Sequence, residues 1–172
     1  MSQITSINVS RKKRMRKEPV GDAPQVLVVD HGIESDAHAG NWHRQVSFLA
    51  QESIDKAVEM GLDVGPGDFA ENFTTQGVDL LNLPIGTVLR LGNTAEVEIS
   101  QIGKVCHTRC AIYYLSGDCI FPREGIFGVV RVPGEVRAGD HIEVIKLGDG
   151  TCSATPQEAL DEIEAARLQG TL

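Results

Sequence analysis

The chain has 172 residues and a mass of 18.6 kDa, room for one domain with a substantial core. Sixteen basic residues stand against 24 acidic ones, a formal charge of -8, which argues against a nucleic-acid binder that works by neutralising phosphates. At 41% hydrophobic and 23% charged the composition is globular and not disordered, and no apolar run reaches the length of about 18 residues that reads as a membrane span.

Taken in chain order, the first seventeen residues, MSQITSINVSRKKRMRK, hold no apolar stretch ahead of a small-residue cleavage site, so they do not read as a signal peptide and a cytoplasmic location is expected. Loose alternation predicts a strand over 3–9, and a β-branched apolar run predicts another over 25–30. Ser47 is placed to cap a helix running to about Met60, with Phe48, Ala50, Ile54, Ala57 and Val58 on its apolar face and Gly61 just past its end. Strands are predicted over 87–91 and 95–102, joined at Gly92-Asn93, and again over 125–132 and 140–147. Thr155-Pro156-Gln157-Glu158 has the form of a capping box and predicts a final helix over about 155–169. The expected architecture is one mainly β domain over 1–172, its core over about 4–147, with a few helices.

Three segments carry the candidate chemistry. Between Gly32 and Gln45, two acids, two histidines (His38 and His43), Arg44 and the only tryptophan, Trp42, crowd ahead of the expected helix. The stretch reads equally as a polar loop or as an anion site. The turn from Gly65 to Phe73, with Glu71 and Asn72, reads alone as ordinary loop. The basic run Arg11–Lys17 reads as a solvated loop after the first strand.

The third segment holds Cys106, Cys110 and Cys119, all within fourteen residues, while Cys152 stands apart. The spacing is neither a thioredoxin-like nor a zinc-ribbon C-x-x-C. Two readings stand side by side. Cys106, Cys110 and Cys119, with or without His38 or His107, form a thiolate metal site. Alternatively one cysteine acts as a nucleophilic thiolate, its pKa lowered by Lys104, His107 or Arg109.

Several of these stretches, in order, resemble the MOSC domain found at the C-terminus of molybdenum-cofactor sulfurases and in small stand-alone bacterial proteins. The likeness runs through Gly32–His38, Arg44-Gln45-Val46-Ser47, Gly67-Asp68-Phe69-Ala70-Glu71-Asn72-Phe73-Thr74-Thr75, Pro84-Ile85-Gly86-Thr87, Glu98-Ile99-Ser100-Gln101, Cys106, and Gly125–Val132. Gly103-Lys104-Val105 precedes Cys106 where many members carry arginine and proline, and Ser35 stands where glycine is usual.

The resemblance implies a strand-rich, β-barrel-like fold. It also implies a protein that handles sulfur or binds molybdenum cofactor, a molybdenum species or a related sulfur-bearing anion. Cys106 would be the sulfur carrier or nucleophile, and His38, Arg44, Asn72 and Arg123 would bind the anionic part of the ligand. Expected partners are a sulfur-donor protein or a molybdoenzyme, with no nucleic acid and no membrane. Pyridoxal phosphate belongs to the aminotransferase-like domain of the full sulfurases and is not expected on a chain of this length. A non-catalytic metal or cofactor module built on Cys106, Cys110 and Cys119 is the alternative.

Overall fold

The structure is a computed structural model that describes residues 1–172. Eleven strands form, β1 (Gln3–Val9), β2 (Glu18–Pro19), β3 (Gln25–Val28), β4 (Gly32–Ile33), β5 (Val46–Ala50), β6 (Phe73–Gln76), β7 (Val88–Leu91), β8 (Ala95–Ile102), β9 (Ile126–Val132), β10 (Gly134–Val136) and β11 (Ile142–Lys146). Four helices accompany them, α1 (Gln51–Glu59), α2 (Ala111–Ser116), α3 (Phe121–Glu124) and α4 (Gln157–Leu168). The fold is mainly β.

Where the sequence alternates, the strands pair as their pattern requires. In β8, Ala95, Val97 and Ile99 are buried while Glu96 and Glu98 lie at the half-exposed face, the two-residue period of a sheet with one covered side. β8 pairs antiparallel with β7, Leu91 opposite Ala95, and Gly92 takes φ 62° in the turn. The larger sheet runs β11-β7-β8-β9-β5-β6-β1-β2, antiparallel except for the parallel pair β5–β6, and a smaller sheet runs β10-β3-β4.

The larger sheet has two ends by pairing, so no closed barrel is found. One isolated bridge, Gln3 with His141, sets β1 beside the start of β11. There Ile4 N–H donates to Asp140 O (2.9 Å) and Ile142 N–H to Ser2 O (3.0 Å). The main core lies inside this curl, around Ile4, Phe48, Phe73, Leu89, Val97, Ile99 and Val130. A second apolar cluster, including Leu49, Ile54, Phe69, Ile112, Phe121 and Phe127, fixes α1, α2 and α3 against the sheet and so supports the cysteine segment.

Two helix starts differ from expectation. Residues 46–50 are strand, and α1 begins only at Gln51. Ser47 caps nothing; its backbone and hydroxyl bond Asn72. β5 lies between β6 and β9 and is buried on both faces, which erases the alternation that identifies a strand. At the other end, Thr155 Oγ1 donates to Ser100 O (2.7 Å) instead of closing a capping box, Pro156 holds the N-cap position, and α4 starts at Gln157. The hydroxyl therefore ties the helix to β8.

Candidate functional site

A buried polar cluster organises one end of the sheet. Leaving β1, Ser10 N–H donates to Asp36 Oδ1 (3.0 Å), and Asn72 Nδ2 donates to Asp36 Oδ2 (3.1 Å) and Asn8 O (3.2 Å). Lys17 Nζ lies 3.2 Å from Asp36 Oδ2, with 4% and 0% of the two side chains exposed. Burial pushes the Lys17 amine below its ordinary pKa despite the attraction of Asp36. Burial also works against ionised Asp36, but His38, Lys17, the Ser10 amide and Asn72 together hold its carboxyl well below the usual carboxylate range.

Gly67 makes this approach possible. It sits at φ 89°, and a Cβ there would fall 2.2 Å from the Lys17 carbonyl oxygen; Lys17 N–H donates to Gly67 O (3.1 Å). The Gly67 amide donates in turn to Glu71 Oε1 (2.6 Å), which also accepts from Thr74 Oγ1 (2.9 Å). Glu71 Oε2 is buried without a partner, and burial raises the pKa of this carboxyl. Asn72 Oδ1 accepts from Ser47 N–H (3.0 Å), so its side chain is fully used in joining β5, the end of β1 and Asp36.

Beside the cluster opens a cleft of about 660 Å³. Arg14, Arg16, Lys17, Arg44, Lys104 and Arg109 line it, against one carboxylate, Asp68, which pairs with Arg16 at 3.3 Å. In a chain of net charge -8 this is a local positive pocket, and low-dielectric walls focus such a field on anions. The Arg44 guanidinium lies over the rings of both Trp42 (4.6 Å) and Phe127 (5.4 Å), and its Nε is buried with no hydrogen-bond partner. Burial pushes the Arg44 pKa down, an effect that nearby Cys106 and Glu162 partly oppose. Two further cations pack on rings: Lys104 lies over Phe121 (5.2 Å) and Arg109 over Tyr113 (4.2 Å).

Cys106, Cys110 and Cys119 all line the cleft, but in different settings. Cys106 and Cys110 are exposed and Cys119 is half-buried. The Cys119 pKa is pushed up to about 11, first by burial and then by the like charge of Cys110 and Cys106, so it is a neutral thiol near pH 7. Nowhere do three His, Cys, Asp or Glu side chains gather as a group able to hold a metal ion. The predicted set of Cys106, Cys110 and Cys119 is not assembled as metal ligands, and His107 pairs instead with Glu162 (3.0 Å). Buried Cys152 lies elsewhere, 3.8 Å from an Arg131 nitrogen.

Four of the five predicted catalytic and ligand-binding residues, Cys106, His38, Arg44 and Asn72, meet at the cleft. His38 Nε2 accepts from Arg14 N–H (3.3 Å), and its Nδ1, buried without a hydrogen-bond partner, faces Asp36 Oδ1 at 3.8 Å. Arg123 is not in the lining; it makes a two-pronged pair with Asp118 (3.0 and 2.7 Å). The structure adds Lys17, Arg14 and Arg16 from the basic run, together with Lys104 and Trp42. The run against an acidic background was the available signal, and its burial at Lys17 is visible only once Asp36 is brought beside it.

A family model described as "MOSC domain" matches residues 35–143. No curated protein sequence matches the chain. Among solved structures, YiiM from Geobacillus stearothermophilus superposes with a TM-score of 0.68 at 18% identity, covering 97% of this chain and 85% of that one. The YuaD protein from Bacillus subtilis gives 0.67 at 19% identity, covering 83% and 94%. YiiM from Escherichia coli gives 0.65 at 18%, covering 99% and 94%. At these identities the likeness is one of fold. No helix is long and apolar enough to cross a membrane.

Proposed function

Because the chain belongs to the MOSC domain family, we propose that its basic cleft binds an anionic, sulfur-bearing ligand of the molybdenum-cofactor type, with Cys106 as the sulfur carrier or nucleophile. The observation that carries this reading is Arg44: a guanidinium in the cleft lining that packs on two rings, with a buried Nε–H left without an acceptor. An oxyanion seated against this guanidinium would gain a charge-assisted hydrogen bond.

The donor set suits such a ligand. Arginine meets a phosphate or carboxylate through paired N–H groups, with Lys104 and Arg109 adding charge nearby. Cys106 offers a soft, exposed thiol, the donor type that suits sulfur chemistry and soft metal centres. A bound molybdenum cofactor would supply a sulfur-ligated metal; the residues here would hold its anionic end and present one thiol to it. His38 and Asn72 shape the wall through Asp36 and Arg14 and do not lead the anion binding.

As a sulfur carrier, the Cys106 thiolate attacks the outer sulfur of a persulfide on a donor protein. The donor's S–S bond breaks, the donor leaves as a thiolate, and Cys106 keeps the persulfide. Cys119, held neutral, is not the attacking group.

Intact mass spectrometry of natively purified protein tests this. The expected result is an added sulfur atom, or a bound cofactor-type species, that maps to Cys106 and is absent from Cys106→Ala. Retention of the adduct in that variant, or metal held stoichiometrically by Cys110 and Cys119 without Cys106, overturns the reading.

A further inference from the structure

We propose that the open side of Trp42 is a stacking subsite for a planar nitrogen heteroaromatic ring, carried by the same ligand whose anionic end Arg44 holds; the inference rests on the anion reading of the cleft. Trp42 is the only tryptophan in the chain and lies in the cleft lining, yet 42% of its surface remains exposed. The Arg44 guanidinium covers the ring at 4.6 Å, and His43 meets it edge-on, centroids 5.8 Å apart at 71°.

The platform is held from its neighbours. His43 O accepts from Ser100 Oγ, and His43 Nε2–H donates to Gln101 Oε1 (2.9 Å). On the other side, Gln45 Oε1 accepts from Val130 N–H (2.9 Å), and Phe127 backs Arg44 at 5.4 Å. The indole is thus supported by a cation that is itself supported by a second ring. Such support fixes the ring without using all of its surface, and an electron-rich indole attracts electron-poor rings. The ring and the Arg44 guanidinium, two residues apart in sequence, lie 4.6 Å from one another. A ligand with a flat ring joined to an oxyanion would satisfy both at once.

Calorimetric titration of the full chain with four probes tests this. Inorganic phosphate and ribose 5-phosphate carry the anion alone; guanosine 5′-monophosphate and pterin-6-carboxylate add a ring. The ring compounds are expected to bind more tightly than ribose 5-phosphate by about 5- to 150-fold, the range that one base–aromatic stack carries, and to quench the single tryptophan's fluorescence. Trp42→Leu and Trp42→Ala are expected to lose that excess, read within each variant as the ratio of ring-compound to ribose 5-phosphate affinity, and Trp42→Phe to keep most of it.

Ring compounds that bind no better than ribose 5-phosphate, or an excess that survives in Trp42→Leu, overturn the stacking subsite while leaving the anion site in place. If neither phosphate nor ribose 5-phosphate binds, the anion reading and the subsite fall together. Preference for the pterin assigns the ring to the cofactor-type ligand, and preference for the purine assigns it to a separate nucleotide substrate; either supports the subsite.

Discussion

Replacing Asp36 by asparagine strikes the group on which the cleft wall hangs. The change keeps the volume but strips the counter-charge from Lys17, whose side chain is 4% exposed and 3.2 Å away. Removing one member of a buried pair costs about 3–5 kcal/mol. Lys17, already depressed by burial, escapes part of that penalty by releasing its proton, so the lower end, about 3 kcal/mol, is expected. In urea this is a fall of about 1–3 M in the unfolding midpoint at unchanged slope.

The pH dependence has a definite sign. A carboxyl depressed in the folded state contributes stability above its unfolded pKa, about 3.9, and loses it as pH falls through the folded value. The gap between wild type and Asp36→Asn should therefore be full at pH 7 and shrink below about pH 4. Coupling gives a second check: Lys17→Met combined with Asp36→Leu removes both charges and should cost well under the sum of the single changes. A single-variant cost below about 1 kcal/mol at pH 7, a gap that is the same at pH 3, or strict additivity would each refute the reasoning.

Three further outcomes are expected. With a thiol alkylating reagent at neutral pH, peptide mass mapping should find Cys106 and Cys110 labelled well before Cys119, which reacts only as pH rises toward about 11. Gly67→Ala places a side chain at φ 89° and 2.2 Å from the Lys17 carbonyl oxygen; a loss of at least about 1–3 kcal/mol in chemical denaturation is expected, with weakened phosphate binding as Lys17 is displaced. Glu71→Gln removes a carboxyl whose pKa burial raises. Wild type is favoured over the variant most at pH below the unfolded Glu value, and that advantage should decline as pH rises through the raised folded value, read from melting temperatures across pH.

Alternation made strands with one half-exposed face legible, and β9 was legible as an apolar run although Ile126–Val130 is buried throughout. β1 and β8 fall on the residues that alternation marks, and β9 differs from expectation by one residue at its start. β5 was not legible, because a strand buried on both faces loses its period and Phe48, Ala50, Ile54, Ala57 and Val58 then fit a helix instead. The candidate site divides in the same way. Cys106 and Arg44 stand out by residue type, and the family resemblance orders them along the chain. The burial of Lys17 depends on a partner nineteen positions away, Asp36, and on a glycine at 67 that lets the two backbones touch. Nothing local in Arg11–Lys17 separates that lysine from its solvated neighbours. Asn72 is the reverse case: its type suggested ligand binding, and its hydrogen bonds show a residue spent on framework.

Cys106, Cys110 and Cys119 sit on an excursion between β8 and β9, strands that are neighbours in the sheet, with Ile102 paired to Ile126 at its base. A loop that leaves and returns at one point can lengthen or change composition at an entropy cost that grows only with the logarithm of its length, while the strands beneath it stay in register. The opposite wall has no such freedom, since Lys17, Asp36 and Gly67 are locked to one another and to the core. The thiol-bearing wall, with Lys104 and Arg109 on it, is therefore the part of the cleft that packing leaves free to change, and the wall built on Lys17, Asp36 and Gly67 is the part that packing holds fixed.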